Sequence, residues 1–186
     1  PIYGIEVGLT ADMIALFLAA FVLGGAVAQF PVGWLADKYD RRTVLMWLSV
    51  TAALACGTTV ALSGFGIVAI FVTAGLFGVT TMPIYSVSTA HAHDFATDEE
   101  RVELSAALMF LYALGAIASP LIASTLIAWF GPASMFVFIA TIHLALLVFG
   151  ALRMRARPAP SDRTRYVYTP RTSFLIGRLL KRGGED

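Results

Sequence analysis

Apolar residues fill five long stretches of the chain, near 12–36, 43–62, 66–90, 103–129 and 133–152, and polar residues gather between them. A helix needs about 20 residues to cross the hydrocarbon core of a bilayer, and each stretch supplies that many or more. None carries the continuous polar face that a helix of a soluble bundle shows to water. The pattern predicts an all-α, polytopic membrane helical bundle of five complete spans. Residues 1–8 read as the end of a sixth. The chain opens on Pro1 rather than Met, which points to a fragment, and no signal-peptide pattern is present.

Composition agrees with the pattern. Apolar residues make up 58%, charged residues 13%, and the mean hydropathy is +0.79. Soluble domains hold about 45–50% apolar and about 25% charged residues. Charge placement then sets orientation. Every Lys and Arg lies in the 37–42 loop, at Arg101, or after Leu152, and the alternate connections 63–66 and 130–132 hold none. The positive-inside rule places the three basic segments in the cytoplasm and Glu6 and Asp12 on the opposite side. The expected division is a transmembrane half-bundle, 1–152, and a basic cytoplasmic tail, 153–186. In the tail, Pro158 and Pro160 read as a linker. Leu175, Ile176, Leu179 and Leu180 oppose Arg178, Lys181 and Arg182, as either an amphipathic surface helix or disordered chain. The lone Cys56 reads as a small packing residue and excludes a disulfide framework.

Helix boundaries and packing are partly legible. Thr10 or Asp12 would cap the first full span. Thr97 and Glu100 have capping-box spacing, with the Thr97 hydroxyl expected to accept from the Glu100 amide. Gly24, Gly25 and Ala28 would let a neighbouring helix approach closely. Pro31 should bend its helix near the inner end.

Few residues carry candidate chemistry. Thr73, Thr80, Thr81 and Tyr85 lie on or beside one stripe of the third span, and Tyr112 and Ser119 share a face of the fourth. With Gln29 at the inner edge, they are the expected lining of a midplane substrate cavity. The competing reading has the hydroxyls bonding helix backbones. His91, His93 and Asp94 are too few and too close in sequence to close a metal site, so inner-face hydrogen bonding is expected of them. His143 is the titratable side chain well inside a span, and packing is its simpler role. No Asp or Glu lies in a span interior, and no catalytic constellation is visible. The expectation is a non-enzyme with no metal, no cofactor and no nucleic-acid partner.

One connection is more specific. Gly33-Trp34-Leu35-Ala36-Asp37-Lys38-Tyr39-Asp40-Arg41-Arg42-Thr43 is a charged loop between two apolar runs. It resembles the signature loop of the major facilitator superfamily, Gly-x-Leu-Ala-Asp-Arg-x-Gly-Arg-Arg/Lys. Gln29-Phe30-Pro31 leading into it, Met82-Pro83-Ile84-Tyr85, and Leu111-Tyr112 with Gly115 and Ser119-Pro120 are similar to a functionally poorly characterised bacterial branch. The loop recurs in both halves of the family's fold, so it leaves open which half this is. The other segments point to the second.

The resemblance implies half of a major facilitator fold in a bacterial inner membrane. It implies a secondary transporter that moves a small-molecule substrate by alternating access, with the lipid bilayer and the missing N-terminal half as partners. It assigns a gating role to Gly33, Asp37, Arg41 and Arg42, with Asp94 as a candidate partner of Arg41. Gly33 would permit close helix approach. Asp37 would dock on the start of the fourth span, where Asp98, Glu99 and Glu100 would repel it. Asp40 stands where the family has a second Gly. The alternatives are a uniporter without proton coupling, a half-size chain that dimerises, a membrane scaffold or sensor of the same fold, and an enzyme using His91, His93 and Asp94.

Overall fold

The computed structural model describes residues 2–62 and 64–156. It contains six helices: α1 (Ile2–Glu6), α2 (Ala11–Lys38), α3 (Arg41–Leu62), α4 (Ile67–His93), α5 (Arg101–Phe130) and α6 (Ala133–Ala156). The last five match the five expected spans. The shortest, α3, has 22 residues. At about 1.5 Å per residue it still exceeds the roughly 30 Å hydrocarbon core. Helices are forced here because lipid offers no partner to a peptide group, so each group must bond within its own segment. Pro31, Pro83 and Pro120 are accommodated inside single continuous helices.

Local chemistry sets the ends. Thr10 caps α2, its hydroxyl oxygen accepting from the Met13 N–H at 3.4 Å, and Asp12 sits in the first turn. Tyr39, with φ −112° and ψ 173°, breaks α2 from α3. Asp40 then caps α3 by accepting from the Arg42 N–H at 3.0 Å. Gly66 and Gly131 take φ of 90° and 83° at the turns before α4 and α6, a conformation that L side chains rarely adopt. The helix α6 runs past the expected boundary at Leu152. Arg153 and Arg155 therefore occupy its last turn, where cations suit the negative helix end. The expected linker and amphipathic segment of the tail lie outside the described residues.

Packing is uneven. The most extensive contact joins α2 to α4, while α3 lies against both α4 and α6, and α5 touches α4 and α6 over less surface. At the α2–α4 crossing, a Cβ on Gly24 would strike the Gly75 carbonyl. One on Gly78 would strike the Phe21 carbonyl, and one on Gly25 would strike the Met82 side chain. Between lipid-exposed helices association rests on such close van der Waals contact, because the tails are as apolar as the side chains. Two buried clusters flank the crossing. Ala36, Val44, Leu48 and Val87 join α2, α3 and α4 at the end bearing the 37–42 loop. Tyr3, Cys56 and Phe136 join α1, α3 and α6 at the other end. There Phe136 meets Tyr3 edge-on at 4.8 Å and Phe77 at 5.9 Å. Cys56 is a packing residue, as expected. By contrast α5 buries Ile127 alone among its residues.

The glycine contacts are directly testable. Gly78→Ala should destabilise the bundle by about 1–3 kcal/mol through overpacking. Gly57→Ala, whose Cβ would meet nothing within 4 Å, should be close to neutral. Thermal unfolding of both variants in one detergent decides this, and equal effects would remove the α2–α4 crossing as the tight contact.

Candidate functional site

The 37–42 loop is built around Arg41. Its Nη1 donates to the Ala90 carbonyl at 2.7 Å and to Asp94 Oδ1 at 2.7 Å, and its Nη2 donates to Asp37 Oδ1 at 3.4 Å. Ala90 and Asp94 belong to the last turn and cap of α4. The guanidinium thus sits on the negative end of that helix, adds a second donor to a carbonyl that already accepts from the Asp94 N–H, and pairs with a carboxylate. Its side chain is 24% exposed and that of Asp94 40%. Solvent therefore weakens the ion pair, and the carbonyl bond and geometry carry much of its weight.

Two expectations about the loop are corrected. Asp37 pairs with Arg41 one turn along instead of docking on α5. The start of α5 already holds acids, while Arg41 offers a cation at helical spacing. Gly33 makes no close approach, since a Cβ there would meet nothing within 4 Å. Asp40 also has a role that the resemblance to a glycine hid. It caps α3 and pairs with Arg42 at 3.3 Å. An Asp a few residues ahead of a long apolar run is a helix-start signal and could have revealed the cap.

The Thr97 turn departs from the expected box. Glu100 reaches back, accepting from the Thr97 N–H at 3.0 Å and from its hydroxyl at 3.0 Å. The Glu100 amide, however, donates to the Thr97 carbonyl at 3.1 Å, and α5 begins only at Arg101. Thr97 therefore closes a turn before the helix and does not cap it.

The proposed cavity residues divide. Thr73 is 1% exposed, and its hydroxyl bonds the Ala69 and Ile70 carbonyls, which removes it from any open face. Thr80 bonds the Leu76 and Phe77 carbonyls, and Thr81 bonds the Phe77 carbonyl. The backbone-bonding reading holds for all three. Gln29 and Ser119 are exposed. Tyr85 and Tyr112 come together across α4 and α5, rings 5.1 Å apart at 58°, with both side chains exposed. The Tyr85 hydroxyl reaches only Met109 Sδ, at 3.6 Å. A thioether is a weak acceptor, so that phenol retains hydrogen-bonding capacity for another group.

Below this pair, His93 Nδ1 lies 2.8 Å from the Thr89 carbonyl and Nε2 lies 3.0 Å from Ser105 Oγ. A carbonyl only accepts, so Nδ1 carries a proton. Ser105 also lies 2.8 Å from the Arg101 carbonyl, so its one hydroxyl hydrogen serves either that oxygen or Nε2. Ser105, Met109 and Tyr112 form one helical stripe, and it meets α4 at His93 and Tyr85. Ser105 shares the face of Tyr112 and Ser119 in the sequence pattern too, but Met109 went unrecognised because nothing in sequence ties it to α4. No group of three or more potential metal ligands occurs among the described residues.

Glu100 supplies a pH test. Its carboxyl is held below the ordinary value of 4.5, first by the Thr97 N–H and then by the Thr97 hydroxyl. Because the folded value is depressed, the turn's contribution is complete above the ordinary value and is lost as pH falls through the lowered one. Amide exchange at Thr97 should accelerate over that acidic window in the wild type. In Glu100→Gln the pH step should vanish, and a step that persists would assign it to another group.

Comparison with known proteins gives a consistent answer. A family model described as Major Facilitator Superfamily matches residues 1–183. An uncharacterised MFS-type transporter of Bacillus subtilis (strain 168), YfkF, is 31% identical over 160 residues, covering 80% of this chain and 38% of that protein. A second, from Enterobacter sp. (strain 638), is 26% identical over 160 residues, covering 86% and 41%. The chain thus spans about two fifths of the length of these relatives. Among solved structures, the POT family transporter PepTSo superimposes with a TM-score of 0.66 at 17% identity, covering 93% of this chain and 38% of that one.

Proposed function

The chain belongs to the Major Facilitator Superfamily, and from that membership we propose that it is half of a secondary transporter in a bacterial inner membrane. This bundle moves a small solute by rocking against a second helical half, the N-terminal one, with its basic tail on the cytoplasmic side. Residues 1–152, with the last turn of α6, form the moving body. The observation that carries the reading is the Arg41 bridge. One guanidinium ties the α2–α3 loop to the end of α4 through Ala90, Asp94 and Asp37. Such a bridge favours whichever conformer keeps the loop on α4, and breaking it releases the other. Gly33 leaves the approach to this loop open on its own side, and Arg42, held by Asp40, fixes the start of α3.

Solute binds beside Tyr85 and Tyr112, with Ser119 and Gln29 on exposed surface. The tyrosine rings offer apolar faces, and the Tyr85 phenol offers a hydrogen bond. Carboxylates among the described residues sit at helix ends or in connections. A carboxylate that carries a coupling proton would therefore belong to the other half, and a uniporter needs none.

Flux through the full-length protein in proteoliposomes, with a solute panel and an imposed pH gradient, tests this reading. Arg41→Ala should shift the conformational balance about ten-fold and lower transport accordingly. Tyr85→Phe should raise KM by about 2–10-fold through one lost hydrogen bond. Accumulation that follows the gradient identifies proton coupling, and gradient-independent flux identifies a uniporter. A folded wild type that moves no compound would overturn transport in favour of a scaffold or sensor.

A further inference from the structure

Between α3 and α6, at the end of the bundle that carries the 37–42 loop, lies a cleft of about 210 Å³ that no transport step uses. Arg42, Arg153 and His91 contribute to its lining, and the lining includes no carboxylate. Leu146 and Phe149 line it deeper in the bundle, on the helix that ends with Arg153. Seven residues of helix separate Leu146 from Arg153, about 10 Å along the axis. The cleft is thus cationic at its mouth and apolar along its wall.

The two arginines differ. Arg42 is 14% exposed and held by Asp40 at 3.3 Å. Arg153 is exposed and makes no salt bridge among the described residues. A guanidinium at a membrane boundary matches a phosphate in charge and in paired donor geometry. A small soluble anion would leave the apolar wall unmatched. An amphiphile satisfies both ends at once, and basic pockets between spans favour anionic head groups.

We propose that this cleft binds an anionic phospholipid, with its phosphate on Arg153 beside Arg42 and one acyl chain along Leu146 and Phe149. Gly150 makes room for that chain. A Cβ on it would meet Met46 Cγ at 3.5 Å, an ordinary contact, so a side chain can start there on the cleft wall.

The test is native mass spectrometry of the full-length protein, titrated with phosphatidylglycerol and phosphatidylcholine of matched chains. Phosphatidylglycerol should bind about five-fold more tightly, in line with one well-placed cation. Arg153→Gln should abolish that preference and Arg153→Lys should keep most of it. Gly150→Leu should weaken both lipids while leaving the melting temperature near wild type. Equal affinity for the two lipids, or a preference that survives Arg153→Gln, would overturn the proposal. Displacement of the lipid by millimolar glycerol phosphate would reassign the site to a soluble phosphate.

Discussion

A peptide group left unpaired in hydrocarbon costs several kcal/mol, and that constraint organises everything else in this molecule. It makes each span a continuous helix, prolines included. It confines charged side chains to the helix ends, where water or another helix end can meet them. It also turns hydroxyls inside the spans onto their own backbones, as buried Thr73 and half-buried Thr80 and Thr81 show. What remains to hold the helices together is close packing, supplied by Gly24, Gly25 and Gly78 between α2 and α4.

The same constraint gives Arg41 its weight. The end of α4 gathers partial negative charge, and the Ala90 carbonyl, which accepts from the Asp94 N–H at 3.2 Å, keeps a second lone pair. An arginine delivered by the neighbouring loop donates to it and supplies a charge for Asp94. Arg42, the adjacent residue, is engaged by Asp40 and turns to the α3–α6 side. Two like residues in sequence thus serve different parts of the bundle. One bridges to the end of α4, and the other lies beside the α3–α6 cleft.

The α4–α5 face is held by fewer and more polar contacts. Ile127 is the one buried residue of α5, yet Tyr112, Met109 and Ser105 reach Tyr85 and His93. A helix held by a few polar and aromatic contacts moves at lower cost than one locked by a glycine crossing. The α2–α4 pair is thus the tightest crossing among these helices, and α5 makes the slighter contacts.

Sequence by itself determined the class, the number and approximate limits of the spans, the likeness of the loop to a transporter family, and Asp94 as a candidate partner of Arg41. Those follow from hydropathy, charge placement and short-range spacing, which act within one segment. The tertiary structure alone decided that Thr73 is buried, that Gly33 touches nothing, that Asp37 stays with Arg41, and that Tyr85 meets Tyr112. It alone brought Arg42 and Arg153 to one cleft although more than a hundred residues separate them. The reason is physical: a side chain's partner across helices depends on how those helices rotate and cross, and packing sets that rotation after the helices exist.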